Sequence, residues 1–233
     1  MAEGQFRLRI RYCKKGRLCH LSHLELVHAQ ERIIRRAGLP FAVSQGFSPH
    51  MKLAFGPAIG VGTGSLDEYL DVWLTRYVDP QEALDALHAA QVPDLAVLQC
   101  SYVGDKDASL VTALTVSQYL IDLFPAGEQP DLEALIQKGL DDIRAAGSIQ
   151  VMKKNKVKTY DLSLSTVEPA RIIYCEDGVC QIELMCRSRD DGSLRPELFV
   201  QELSRVAGVE LVISCLLRVA QYVEDQEGLH RLV

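Results

Sequence analysis

Histidine, serine and cysteine side chains concentrate in residues 17–55, where four of the six histidines of the chain lie. Ser22 directly precedes His23 at the start of a pattern typical of a helix. An imidazole titrates near neutral pH, and a helix N-terminus would lower its pKa, so His23 is a candidate general acid or base. The alternative is a structural role, in which His23 fixes the start of the helix by hydrogen bonding.

The cysteines lack the spacing of a metal or cluster site. Cys13, Cys19, His20 and His23 lie close together in the sequence but contain no C-x2-C pair. We therefore predict no metal and no cofactor. The chain has seven cysteines, an odd number, and none of them forms a C-x2-C pair, so we expect reduced thiols and no disulfide framework.

Positive charge is the second chemical feature of the same part of the chain. The first 60 residues contain ten lysines and arginines against three acidic residues, whereas residues 61–150 contain four against fifteen, in a chain of net charge −6. A basic face on an acidic body can hold a polyanion, although the two segments could also neutralise each other. The predicted anion-binding residues are Arg9, Arg11, Lys14, Lys15, Arg17, Arg32, Arg35, Arg36, Lys52, Lys153, Lys154, Lys156 and Lys158.

Local patterns predict the elements that would hold these side chains. Residues 5–12 alternate apolar and polar side chains, which predicts a strand with one buried face and one basic face. Ser22 and Glu25 form the S-x-x-E pattern of a capping box, which predicts a helix over residues 23–37. A hairpin over residues 41–55 would project Lys52. The residues expected on the resulting motif face are Ser22, His23, Gln45, Gly46 and Phe47.

The predicted elements follow the order β-α-β-β-α-β, and this order occurs twice. We therefore predict an α+β protein of two tandem ferredoxin-like units with antiparallel sheets and with helices packed on one face. The predicted division is 1–104 and 105–233. No apolar run is long enough to cross a bilayer, and the first residues carry no apolar block of the signal-peptide type. We expect a cytoplasmic protein without a membrane partner.

Four ordered motifs carry a resemblance to a known family. They read G-R-x-x-x-L-S-H-L-E-L at 16–26, R-x-x-x-R-A-G-L-P at 32–40, S-Q-G-F-S-P-x-x-K at 44–52 and E-Y-L-D at 68–71. In these motifs the chain resembles the radical-SAM-linked family of bacterial proteins of unknown function. It departs from the family at Cys19 and His20, where a basic or aromatic pair is usual, and at Ser163, where an arginine is usual.

The resemblance implies a context more than a reaction. Such domains occur beside or fused to a radical SAM protein, and some are joined to a ribonuclease of the E/G type, which implies work on RNA or ribosomes. The chain itself lacks the C-x3-C-x2-C segment of a radical SAM enzyme. The first hypothesis is a non-catalytic accessory protein that presents RNA or an RNA-linked substrate to a radical SAM partner. The alternatives are an RNA-processing or RNA-modifying enzyme that uses His23, and a protein–protein adaptor without nucleic acid.

Overall fold

The computed structural model describes residues 5–104, 106–153, 156–189 and 192–232. The chain divides into two compact units. The first unit is Met1–Leu114 with Arg231–Val233, and the second unit is Thr115–His230. Both combine antiparallel strands with helices, as the sequence predicts. Within the described residues, no helix is long and apolar enough to cross a membrane.

The first unit is a small antiparallel sheet with two long helices. Strand β1 pairs with both β3 and β4, and the short β2 pairs with the other edge of β3, so the order across the sheet is β4-β1-β3-β2. Its elements are β1 (Phe6–Lys14), α1 (His23–Arg36), β2 (Leu53–Phe55), β3 (Gly64–Leu74), α2 (Pro80–Ala90), β4 (Val97–Tyr102) and α3 (Leu110–Ala113).

Alternation along the strands places the core of the first unit on one face of the sheet. Leu8 and Ile10 of β1 pack with Ile33 of α1 and Leu87 of α2 in a single buried cluster. Burial of such side chains is the main stabilising contribution, at about 1.5–3 kcal/mol for each fully buried one. Both long helices therefore cover the same face, and the arginines of β1 lie on the opposite face.

The second unit has four main strands that pair with each other, helices and a core of its own. The order across its sheet is β10-β5-β9-β8, with all neighbours antiparallel, and β6 and β7 form a separate hairpin. Its elements are β5 (Val116–Pro125), α4 (Leu132–Ala146), β6 (Ser148–Lys153), β7 (Lys156–Asp161), α5 (Leu162–Ser165), β8 (Arg171–Glu176), β9 (Val179–Arg187), α6 (Pro196–Ala207), β10 (Leu211–Asp225) and β11 (Gly228–His230). Ile136 of α4 and Leu203 of α6 pack on Ile121 and Ile182 of the sheet.

Residues close to the end of the first unit form a short helix and a small buried cluster. Residues 110–113 form α3, a short helix, where the sequence pattern predicts a strand. Leu110 and Leu114 are buried against Tyr69 of β3, and Leu232 packs on the same cluster. The first unit therefore extends to Leu114 and includes residues from the far end of the chain.

Candidate functional site

The arginines of β1 do not form an open basic face. Arg7 and Arg9 are only 7% and 5% exposed, and both contact the carboxylate of Asp71, which is 0% exposed. Arg9 donates from Nε to Oδ1 of Asp71 at 2.8 Å and from Nη2 to Oδ2 at 3.0 Å, and Arg7 donates from Nε to Oδ2 at 2.8 Å. The two guanidinium groups of this strand therefore share a carboxylate partner inside the protein.

Arg11 and Lys14 are also used internally. Arg11 Nε donates to Oδ1 of the buried Asp67 at 2.6 Å, and Arg231 Nη1 donates to Oδ2 of the same carboxylate at 2.7 Å. The Lys14 side chain is 1% exposed and its Nζ donates to the carbonyl of Leu21 at 3.1 Å. Three of the predicted anion-binding residues, Arg9, Arg11 and Lys14, thus have internal partners.

Helix α1 begins with the capping box that the sequence predicts. The Ser22 hydroxyl accepts from the Glu25 amide at 3.4 Å, and Oε2 of Glu25 accepts from the Ser22 amide at 2.9 Å and from its hydroxyl at 2.7 Å. These hydrogen bonds from Ser22, the side-chain bond first, lower the pKa of the Glu25 carboxyl. The helix ends before Gly38, whose φ of 68° is the left-handed conformation that glycine adopts easily.

His23 is the first residue of α1 and is exposed. Its ring lies edge-on to Phe55, with 5.4 Å between the centroids. The cavity that it lines with Lys14 and Glu68 has a volume of about 10 Å³, which is room for a single water molecule. In the part of the chain that the structure describes, no carboxylate or hydroxyl forms a hydrogen bond or ion pair with the imidazole. The enzymatic role of His23 stays a prediction.

Nine residues among the first 60 are predicted to bind anions, and six of these nine remain candidates for anion binding. Arg32, Arg35 and Arg36 are exposed on α1, and Lys15 and Arg17 are exposed before it. Lys52 is half-buried, with its Nζ 4.7 Å from the centroid of the Trp73 ring and 2.7 Å from Oε1 of Gln5. Among the described residues, none of these six has a carboxylate partner. We call Lys15, Arg17, Arg32, Arg35, Arg36 and Lys52 the open cations.

The motif S-Q-G-F-S-P forms a loop with a closed base. The Ser44 amide donates to the His50 carbonyl at 2.8 Å, and the His50 amide donates to the Ser44 hydroxyl at 3.2 Å. Val43 and Met51 form a bridge just below this closure, where the sequence predicts regular strands. Gln45, Gly46 and Phe47 are exposed at the tip. We call residues 44–50 the motif loop.

The lysines of the second unit lie on or next to the β6–β7 hairpin. Lys158 Nζ donates to the carbonyl of Gly192 at 3.2 Å and lies 4.7 Å from the centroid of the Tyr160 ring. Lys154 lies outside the described residues, as do the side chains of Lys153 and Lys156. Of the four predicted lysines, Lys158 is thus the one with described side-chain contacts, and these contacts are internal.

The cysteines differ from the expectation of reduced thiols. Cys175 and Cys180 form a disulfide between β8 and β9, where they are directly paired across the hairpin. The signal in the sequence is a C-x4-C spacing around the turn residues Asp177 and Gly178, which places the two cysteines opposite each other. The other cysteines, all of which lie within the described residues, form no disulfide. No group of three or more histidine, cysteine or acidic side chains suited to a metal occurs where the structure is described.

The sequence interpretation missed Asp67 and Asp71. They lie at alternate positions of β3 with Tyr69 between them, on the same face as the β1 arginines, and Arg9 is directly paired with Asp71. Burial raises the pKa of the Tyr69 hydroxyl, and the neighbouring Asp67 charge adds to the effect. The sequence pattern that could have revealed them is an alternation on both strands, with basic residues at every second position of β1 and acidic residues on one face of β3.

Comparisons with known proteins add a family and a fold. Residues 7–196 match the family described as an uncharacterized protein conserved in bacteria, DUF2344. No curated protein matches the chain in sequence. The family description does not mention radical SAM proteins, so the expected radical SAM partner stays a prediction.

Three solved structures resemble the chain over 94% of its length. One is a Cbf5–Nop10–Gar1 complex, with a TM-score of 0.53 and 12% identity. Another is an H/ACA RNP bound to a substrate RNA containing 2′-deoxyuridine, with a TM-score of 0.50 and 10% identity. The third is an archaeal box H/ACA sRNP Nop10–Cbf5 complex, with a TM-score of 0.50 and 12% identity. The chain spans about half of each matched chain, at 50%, 49% and 50%, and the likeness concerns the fold alone.

Proposed function

The chain belongs to the DUF2344 family of uncharacterized proteins conserved in bacteria, and we propose that it is a non-catalytic, RNA-binding accessory protein. The observation that carries this proposal is the set of open cations. Lysine and arginine side chains without carboxylate partners can replace the counterions around RNA phosphates, which makes binding favourable and dependent on salt. The internal pairing of Arg9, Arg11 and Lys14 restricts the proposed surface to the open cations.

The overall negative charge is consistent with a restricted surface. With a net charge of −6, the chain is not suited to coat nucleic acid, so binding would depend on local positive charge. Three open cations, Arg32, Arg35 and Arg36, occupy the last two turns of α1. The C-terminal end of a helix carries the negative end of the helix dipole, which stabilises the charge of these three arginines.

We further propose that each unit is ferredoxin-like. The first unit has the element order β-α-β-β-α-β and the sheet order β4-β1-β3-β2, and the second unit has the corresponding order β10-β5-β9-β8. Antiparallel sheets of this type are frequent supports for RNA binding. One structure with a similar fold belongs to an RNP bound to a substrate RNA, which is compatible with an RNA partner.

The proposed partner protein is a radical SAM enzyme. This part of the proposal is supported only by the motif resemblance over residues 16–71. It is separable from RNA binding, because a complex with such an enzyme could form with or without the open cations.

Replacement of two open cations tests the proposal. We expect Arg32→Ala/Arg36→Ala to weaken binding of a structured RNA and to reduce the slope of log affinity against log salt by about 0.7 for each lost phosphate contact. Filter binding or fluorescence anisotropy over a salt series measures both quantities. The matched control is Lys138→Ala/Arg205→Ala, which removes two exposed cations from α4 and α6. Absence of RNA binding by the wild type, or an equal loss in both variants, would overturn the proposal.

A further inference from the structure

Phe47 is the most exposed large apolar side chain among the described residues, at 110% of its reference area. It lies at the tip of the motif loop, between Gly46 and Ser48. Gln45 and Ser48, which lie beside it in the sequence, are polar and exposed, so they do not bury the ring. An aromatic ring displayed in this way has both faces available for a flat partner.

The base of the motif loop is held by hydrogen bonds, so the ring projects from a fixed support. Besides the bond from the Ser44 amide to the His50 carbonyl and the bond from the His50 amide to the Ser44 hydroxyl, this hydroxyl lies 3.1 Å from Nδ1 of His50. That nitrogen also lies 3.1 Å from the carbonyl of Ser48. Gly46 has a φ of 136°, which permits the bend next to Phe47. A loop closed in this manner loses less conformational entropy when its tip binds a partner.

Two open cations lie below the same loop. The Ala42 amide donates to the Trp73 carbonyl at 2.7 Å and the Trp73 amide donates to the Lys52 carbonyl at 3.2 Å, which anchors both arms of the loop to β3. The Lys52 ammonium lies over the Trp73 ring. The Arg35 guanidinium lies 5.1 Å from the centroid of the Phe41 ring, at the start of the first arm.

The cations near the closed end of the loop can bind the phosphate of a nucleotide, and the aromatic ring at the tip can stack on its nucleobase. From Phe41, which Arg35 contacts, to Phe47 the backbone reaches at most about 22 Å, so the ring and the cations lie within a few nucleotides of each other. Single-stranded nucleic acid presents phosphates to cations and unpaired bases to aromatic faces. A duplex keeps its bases stacked inside the helix and offers none to Phe47.

We propose that Phe47 stacks on an unpaired base of single-stranded RNA while Arg35 and Lys52 contact neighbouring phosphates. This inference rests on the proposed RNA-binding function and adds base stacking to it. RNA is favoured over a protein partner because the exposed large apolar side chains of residues 41–55 are Phe47 and Val43, which are too few for the contiguous patch that protein interfaces need. No acidic residue occurs in residues 41–55, so a polyanion meets no repulsion from this segment.

The test compares short single-stranded oligoadenylate with an RNA duplex of equal length. We expect Phe47→Leu to weaken binding of the single strand by about 5- to 150-fold, the range for loss of one stacked base. Duplex affinity should stay within about twofold, and Phe47→Tyr should retain binding of the single strand because its ring still stacks. Phe124→Leu is the matched control, since it makes the same change at a partly exposed phenylalanine of the second unit.

The outcomes separate this inference from the proposed function. Salt-dependent RNA binding that Phe47→Leu leaves unchanged would overturn base stacking and leave the open cations in place. An equal loss for single strand and duplex would also overturn it, as would loss of a protein partner with unchanged RNA affinity. If the wild type binds neither RNA, both proposals are overturned. Because Phe47 is fully exposed, we expect circular dichroism and unfolding of Phe47→Leu to match the wild type.

Discussion

The buried carboxylate of Asp71 gives Arg7 and Arg9 a structural role in the first unit. This carboxylate accepts hydrogen bonds from Arg7 and Arg9 in a buried site, so both guanidinium groups already share an internal counter-charge. Arg36 has the same side chain but lies on the exposed side of α1. The position of a carboxylate across the sheet therefore separates a structural arginine from an open one.

Replacement of this carboxylate should be strongly destabilising. Asp71→Asn keeps the size of the side chain but leaves two buried guanidinium groups without a counter-charge, and we expect a loss of about 3–5 kcal/mol in the free energy of unfolding. Urea denaturation measures the loss. Asp85→Asn, an exposed change on α2, should stay within about 0.5 kcal/mol of the wild type. A loss below about 1 kcal/mol for Asp71→Asn would contradict the internal role of the arginine pair.

At the residue scale, predictions succeeded where the partner is near in sequence. Ser22 and Glu25 are three residues apart, and their spacing alone reveals the capping box. Arg9 and Asp71 are 62 residues apart, and only the pairing of β1 with β3 brings them together. An alternating pattern distinguishes two faces of a strand, but it does not show whether the polar face meets water or another charged strand.

Helix α1 depends on its first turn for stability at neutral pH. The four amides at a helix start have no partner within the helix, and the capping box satisfies two such groups through Ser22 and Glu25. The charged form of Glu25 also interacts favourably with the positive end of the helix dipole. Three open cations lie at the opposite end of the same helix, so its integrity bears directly on the proposed RNA surface.

We predict that Glu25→Gln destabilises the protein in a manner that depends on pH. The pKa of Glu25 is lowered in the folded state, so the unfolded state binds more protons in acid and the contribution of the carboxylate is lost there. The difference from the wild type should be fully present above the ordinary carboxyl pKa of 4.5 and should disappear as the pH falls through the lowered folded value. Unfolding midpoints measured across this pH range test the prediction.

The control for this pH series is Glu210→Gln. Glu210 is exposed just before β10, so the change should have little effect at any pH. A destabilisation by Glu25→Gln that stays constant into acid would contradict the assigned role of the carboxylate.

At the element scale, long patterns with clear end signals were predicted best. For residues 196–207, a proline in the first turn and a glycine directly after the last residue predict a helix, and α6 has these bounds, Pro196–Ala207, with Gly208 at a φ of 68°. The short α3 was predicted as a strand. Its sequence reads LVTA, in which apolar and β-branched residues favour a strand, while Ser109 caps the segment as a helix and Tyr69 buries its leucine. The packing of Leu110 against Tyr69, which is distant in sequence, therefore favours the helix over the strand.

At the scale of the whole molecule, the end of the described chain returns to the beginning. Arg231 pairs with Asp67, and the Tyr69 hydroxyl donates to the carbonyl of Leu232 at 3.2 Å. Both partners belong to β3 in the first unit. The sequence contained no local signal for this return, because the ion pair joins residues 164 positions apart.

Loss of this return contact should weaken the first unit. We expect Arg231→Ala to lower its free energy of unfolding by about 1–3 kcal/mol, since a buried carboxylate loses one of its charged donors while Arg11 remains. Hydrogen exchange of the β3 amides reports the effect locally. His230→Ala, which removes an exposed neighbouring side chain, should leave exchange in β3 unchanged. Equal protection of β3 in the wild type and Arg231→Ala would contradict a stabilising role for the chain end.

The return of residues 231–232 also sets an order of events during translation. The ribosome must synthesise the whole second unit before Arg231 exists, which takes roughly 6–23 seconds at about 5–20 residues per second. During that interval the nascent first unit contains the buried Asp67 with Arg11 but without its second arginine. The first unit is thus begun before the second unit and completed after it, so the contribution of Arg231 to its stability arises only once residues 115–230 have been synthesised.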